Sequence, residues 1–140
     1  MRKGLAVILC VLLVGLVGCK DVNANRYGSM ALHNDELYYY ANDFVYKYAS
    51  ETSVKVEEAE SPYFDIFEQD GTVQISYRDS GDVSVETPYT ERLDGAGQIL
   101  YNDEFVYARY PGGDGQIVVY QIVKAEDETE KLEFVAEIEF

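Results

Sequence analysis

Residues able to do chemistry are few in this sequence, and each type narrows what it can do. His33 is the single histidine, so a two-histidine metal site is excluded and any serine–histidine–aspartate relay would have to run through that one ring. No Gly-x-Ser-x-Gly elbow, phosphate-binding glycine loop or dinucleotide fingerprint occurs. What remains is carboxylate chemistry: a glycosidase needs two acids at a set separation across a cleft, and Asp65 and Glu104, each beside aromatics, are the candidates. With 26 acidic residues the pattern is unspecific, and we read the chain as non-enzymatic, with no catalytic residues, no cofactor and no metal. Asp70, Asp79, Asp82, Asp94 and Asp114 sit in glycine-containing turns, where oxygen ligands for calcium could gather. Aspartate and glycine are also what hairpin turns require for conformational reasons alone, and the twelve-residue EF-hand pattern is absent.

The second chemical resource is aromatic. There are 13 tyrosines and no tryptophan, and Tyr38, Tyr39, Tyr40, Tyr46 and Tyr48 crowd one short stretch. If that stretch is extended, alternate rings point to opposite faces, some are exposed, and they offer a binding surface of stiff contact area with polar tips. Glu51, Glu57, Glu58 and Glu60 lie just beyond and would border it with negative charge.

The elements that must position these groups are mainly strands. From Tyr63 onward, period-two alternation between turn signals predicts a single antiparallel β-meander domain, either a sandwich or an open barrel-like sheet. Asp70-Gly71 is a hairpin signal between strands 64–68 and 72–78. A strand at 83–86 should end near Pro88, which lacks the amide a ladder needs. Leu93–Gly97 reads as a loop, followed by strands at 98–101, 104–110 and 116–125. In the last strand, 132–140, alternation puts Leu132, Phe134, Ala136, Ile138 and Phe140 on one buried face and leaves the other wet. Residues 32–50 fit either a tyrosine-rich β-hairpin or one N-terminal helix capped at Asn34. The hairpin gains support from an internal echo: Leu32-His33-Asn34-Asp35-Glu36-Leu37-Tyr38-Tyr39 resembles Leu100-Tyr101-Asn102-Asp103-Glu104-Phe105-Val106-Tyr107, and Asn42-Asp43-Phe44-Val45-Tyr46 is a shorter copy. The recurring pattern is reminiscent of propeller blades, but the chain is too short for a closed propeller.

The N-terminus carries the most specific signal. Arg2 and Lys3 precede an apolar stretch from Leu5 to Val17, and Leu16-Val17-Gly18-Cys19 closes it. This resembles the signal peptide and lipobox of bacterial lipoproteins. The resemblance implies cleavage between Gly18 and Cys19 and acylation of the Cys19 thiol, with residues 1–18 removed, 19–31 forming a lipidated N-terminus and tether, and 32–140 forming one domain. It also implies a protein held at the cell envelope, outside the cytoplasm, by a lipid anchor. Lys20 stands where an aspartate would retain a lipoprotein in the inner membrane, which favours the outer membrane in a Gram-negative host.

Composition limits the partners. Removing residues 1–18 leaves 122 of the 140 residues and takes away two positive charges, so the formal charge moves from −15 to −17. Such a surface repels nucleic acid, whose binding needs clustered Lys and Arg, and favours a cationic partner. Cys10 leaves with the signal and Cys19 is consumed by the lipid, so no disulfide is available and the domain must rest on apolar burial. These features point to a membrane-tethered binding or accessory module for a cationic extracytoplasmic protein or for cell-wall material. Its most concrete form is an inhibitor or immunity-type protein against a basic partner. The alternatives are a structural subunit of an envelope assembly and a carboxylate-based hydrolase.

Overall fold

The structure, a computed structural model, describes residues 22–23, 28–49, 51–81, 86–111 and 116–140. In chain order its strands are β1 (Val22–Asn23), β2 (Met30–His33), β3 (Glu36–Ala41), β4 (Phe44–Ala49), β5 (Thr52–Glu58), β6 (Tyr63–Gln69), β7 (Thr72–Arg78), β8 (Gln98–Tyr101), β9 (Phe105–Tyr110), β10 (Gln116–Lys124) and β11 (Glu130–Glu139). No helix occurs among the described residues. The fold is mainly β, as the alternation predicts, and 32–50 is the hairpin and not the helix.

Turn chemistry decides that outcome. Asn34 and Asp35 (φ 51° and 65°), Asn42 and Asp43 (49° and 74°), and Asp70 and Gly71 (53° and 78°) each give two consecutive left-handed residues. That is the requirement of the two-residue hairpin turn whose twist matches its strands. Asn and Asp tolerate this region better than other side chains, so β2–β3, β3–β4 and β6–β7 close as tight hairpins.

Three antiparallel sheets result, none closed into a barrel: β1-β8-β9-β10-β11, β2-β3-β4-β5, and the pair β6-β7. The first two face each other across the main core, where Met30, Leu32, Leu37 and Tyr39 meet Leu100, Tyr107, Ile117, Val119 and Ile138. Fully burying an aliphatic side chain such as Leu37, Leu100 or Ile117 stabilises by about 1.5–3 kcal/mol each. The β6-β7 hairpin covers the far face of the four-stranded sheet, packing Phe64 and Ile66 on Ala31, Tyr38 and Val45. Gly28 lies where this hairpin joins: its carbonyl accepts from the Phe64 amide at 3.1 Å, and a Cβ there would collide with the Gln98 side chain.

The outer face of the five-stranded sheet is covered in part, while Glu137 and Glu139 of the last strand stay exposed as the expected wet side requires. The turns between Pro88 and Gly95 fold over its outer face and bury Tyr89 and Leu93 against Ile99, Val106 and Ala108. The expected strict alternation of the last strand fails. Register shifts between Val119 and Tyr120, which pair with Ala136 and Phe134, so Val135 is the extra residue of a β-bulge. Ala136, Ile138 and Phe140 pack into the inner core, Leu132 joins the outer cluster, and Phe134 is left 64% exposed.

The expected tether, 19–31, contributes to the domain at its later positions. Val22 and Asn23 pair with Tyr101 and Leu100, and Met30 and Ala31 are core residues. Positions 82–85, where most of the expected strand 83–86 falls, lie outside the described residues, and Glu86 and Thr87 have no regular structure.

Candidate functional site

Between the two large sheets the interior is closed at one end and hollow at the other. At the closed end Tyr46, Tyr39 and Phe140 stack, with ring centroids 5.3 Å and 5.8 Å apart, and the Arg109 guanidinium lies 4.8 Å from the Phe140 ring. Arg109 donates to the Ser29 carbonyl at 3.0 Å. Burial lowers its pKa to about 10, an effect opposed by nearby Tyr39 and Tyr40, and at neutral pH it stays charged.

The hollow end is a cavity of about 390 Å³, within the usual size range of small-molecule sites. Its walls are Tyr48, Phe105, Tyr107, Val119 and Val135, and the Phe105 and Tyr107 rings are 6.2 Å apart. Its rim is made by two turns: Asn34, Asp35 and Glu36 from the β2–β3 turn, and Glu51 beside β5. Asp35 and Glu51 are both held at positive φ, 65° and 64°, and both are exposed. By strand alternation the Glu36 side chain is turned to the face of Tyr38, where Lys47 comes within 3.7 Å of it, so the acidic side chains at the rim are those of Asp35 and Glu51.

The Tyr48 hydroxyl is buried and has no hydrogen-bond partner. Such a group costs free energy unless something pairs with it. Its pKa is raised first by burial, then by the Glu51 carboxylate and by Tyr39, so at neutral pH it is a phenol able to accept one hydrogen bond and donate another.

A third turn closes the same end. Asn102, 6% exposed, accepts from the amides of Glu104 and Phe105 at 2.9 and 2.8 Å and donates to Asp35 Oδ1 at 3.3 Å. The turns of the two longer sequence echoes, Asn34-Asp35 and Asn102-Asp103, therefore meet at this end of the sandwich. A second hollow, about 370 Å³ and lined by Arg92, Leu93, Tyr120, Glu130, Lys131 and Leu132, carries both signs of charge. Its Glu130 is already engaged by the Tyr89 hydroxyl at 3.2 Å and by Lys124 at 3.9 Å.

The residues singled out in the sequence are distributed differently. The five tyrosines do not make an exposed surface. Tyr38 and Tyr39 are 4% and 3% exposed, and Tyr40, Tyr46 and Tyr48 are half-buried. The rings do alternate: Tyr38 and Tyr40 face the β6-β7 hairpin, while Tyr39, Tyr46 and Tyr48 face the opposing sheet. Burial wins because both faces of the four-stranded sheet are covered. His33 sits at the end of β2, 3.5 Å from Glu68. Asp65 is on β6 and Glu104 in the β8–β9 turn, so the two do not line one cleft. No group of three or more His, Cys, Asp or Glu able to hold a metal occurs among the described residues. Gly18 and Cys19 lie outside those residues, as do Asp82 and Asp114. Asp35, Glu36, Phe105, Tyr107, Val119 and Val135 were not marked as site residues by sequence. The one signal that leads to them is the Asn-Asp echo, since its two longer copies supply opposite sides of the cavity mouth.

Comparison of the chain with models of protein families, with curated proteins and with solved structures returns no match.

Proposed function

We propose that the protein is a non-enzymatic binding module, held outside the cytoplasm by an acylated Cys19, and that the group it binds is cationic. The observation that carries this reading is the inter-sheet cavity, with aromatic and aliphatic walls and an acidic rim of Asp35 and Glu51. The formal charge of −15 adds long-range attraction for a basic partner and accelerates encounter. An inhibitor or immunity-type role against a basic protein is the most specific form of the reading.

An acylated Cys19 would be tied to the described domain through Val22, near the cavity end. Val22 pairs with Tyr101, the residue before Asn102, and Cys19 is three residues upstream, a span of about 10 Å at most. A lipid on Cys19 therefore holds the cavity end close to the envelope surface.

The test is capture of a basic partner from an extracytoplasmic fraction at low and high salt, with intact-mass analysis of Cys19. Capture that falls with salt and a diacylglycerol-modified Cys19 are expected. Equal capture at both salt concentrations overturns the cationic partner, and an unmodified thiol overturns the anchor.

A structural-subunit reading draws on the open edge of β5, all seven residues of which are exposed, Val54 at 56% and Val56 at 42%. Strand addition there is impeded by Lys55, Glu57 and Glu58 and by a register shift opposite Val45 and Tyr46, devices that protect sheet edges from pairing. The cavity reading is the stronger one.

A further inference from the structure

We infer that the β6-β7 hairpin is a detachable cover: it lifts as a unit from the four-stranded sheet while the two large sheets stay packed, and so uncovers an aromatic face made by Ala31, Tyr38, Tyr40 and Val45. This is independent of the partner's charge and of the cavity. The first ground is how the hairpin is attached. Among the described residues β6 and β7 pair with each other alone and add no strand to either large sheet. Residues 67–74, the turn and the strand ends beside it, are all exposed, and Phe64 and Ile66 are the two buried side chains of the pair. Ile75 and Tyr77 pack beside them, half-buried. A two-stranded hairpin alone is marginal in water, so this one depends on those few side chains and on its fastenings.

The fastenings lie towards the two ends of the hairpin and are polar. Near the tip Glu68 accepts from the Asn34 side chain at 3.4 Å and lies 3.5 Å from His33 Nε2, exposed contacts at the long limit for hydrogen bonds. At the root the Phe64 amide donates to the Gly28 carbonyl at 3.1 Å, and the Tyr77 hydroxyl donates to Glu57 at 2.5 Å. The main core does not depend on either end. Met30, Leu32, Leu37, Leu100, Ile117 and Val119 meet there without any residue of β6 or β7. A unit with few buried contacts and exposed bonds opens ahead of the rest of a fold. Beneath it, Tyr38 is 4% and Val45 0% exposed, so lifting the hairpin presents the Tyr38 and Tyr40 side of the tyrosine cluster, which the closed form hides.

Amide hydrogen exchange of the whole protein, purified in a non-ionic detergent and read by mass spectrometry of its peptides in rising urea, is the test. After correction for intrinsic rates, peptides covering 63–78 should exchange at least about tenfold faster than those covering β9 and β10, with a weaker urea dependence. Phe64→Leu should speed exchange of 63–78 about tenfold, and Phe64→Ala should speed it more, both leaving β9 and β10 unchanged. Val45→Cys, under the hairpin, should react with a thiol reagent at least about tenfold faster than Ile117→Cys in the main core, each read on its own peptide. Three results overturn the inference: exchange of 63–78 at the rate and urea slope of the core strands, acceleration of β9 and β10 in step with the hairpin in Phe64→Leu, or equal reactivity of the two cysteines. The wild-type comparison decides the matter even where Phe64→Ala fails to fold.

Discussion

The side-chain amide of Asn102 donates to Asp35 Oδ1 across 3.3 Å, joining the tips of two hairpins whose sequences echo each other from opposite sheets. Asn102 also holds its own turn through two backbone amides, so all its bonds converge on the cavity mouth. Asn102→Ala should destabilise the protein by about 2 kcal/mol, because two donors are left without their acceptor. Asn102→Asp keeps an acceptor but sets two carboxylates side by side. Like charges raise the pKa of one of them in the folded state, so stability is present at low pH and lost as pH rises through that raised value. Urea unfolding of both variants at acid and neutral pH checks this: Asn102→Asp should approach wild type only on acidification.

Tyr48→Phe isolates the unpaired hydroxyl. Removing a buried polar atom that has no partner should leave stability unchanged or raise it by about 1 kcal/mol, measured as the denaturant midpoint. A clear loss of stability would show that the hydroxyl already has a structural partner.

The last strand offers a contrast between pattern and packing. Ile138 is buried in the inner core, and Phe134 is 64% exposed. Ile138→Ala should cost about 2–5 kcal/mol, and Phe134→Ala should stay within about 0.5 kcal/mol of wild type. Deleting 132–140 should abolish the cooperative melt, since Ala136, Ile138 and Phe140 all contribute to the main core.

What the sequence made legible follows the same division. Turns dictated by local chemistry were readable: Asn42-Asp43 and Asp70-Gly71 are hairpin signals because their residues tolerate positive φ, and the structure places tight turns at both. The mainly antiparallel β fold follows from those turns and from alternation. Features set by long-range packing were not readable. Nothing local announces that Val135 is an extra residue, because a bulge is fixed by register against β10 and shifts every side chain N-terminal to it to the other face. The burial of Tyr38 and Tyr39 depends on β6-β7 and on the five-stranded sheet, both distant in sequence. The cavity exists because residues from β4, β9, β10 and β11 meet there, and only the Asn-Asp echo hinted that two of its turns are related.

Alkaline pH should unfold the protein through its tyrosines. Burial, and then a hydrogen bond with Tyr120, push the Tyr110 phenol up to about 12. Burial, followed by the hydrogen bond to Glu57 at 2.5 Å, raises Tyr77 further. Tyr38, Tyr39, Tyr48 and Tyr89 are also raised, burial being the first cause in each. Above the ordinary phenol value of about 10 the folded state holds more protons than the unfolded one, so stability is fully present below that pH and declines as pH rises through the folded values. Phenolate absorbance should show a class of tyrosines that ionise only with unfolding. Titration of all of them near pH 10 with the fold intact would contradict this.

Under the lipoprotein proposal, an anchor three residues before Val22 predicts which end of the domain meets the envelope. Cys10 and Cys19 are the only cysteines, and under the lipoprotein reading neither thiol is free, so an introduced cysteine can be labelled alone. Asp103, in the turn beside the β1–β8 pairing, and Asp79, after β7, are both exposed. β7 runs antiparallel to β6, whose far end brings Glu68 within 3.5 Å of His33 near the cavity mouth, so Asp79 lies at the opposite end of the domain. A fluorophore on Asp103→Cys should be quenched by spin-labelled lipid when the acylated protein is bound to vesicles, and one on Asp79→Cys should be quenched much less. Because about three residues of chain cannot let the domain turn over freely, equal quenching at both positions would mean that β1 detaches from β8 at the membrane and that the cavity has no fixed orientation towards it.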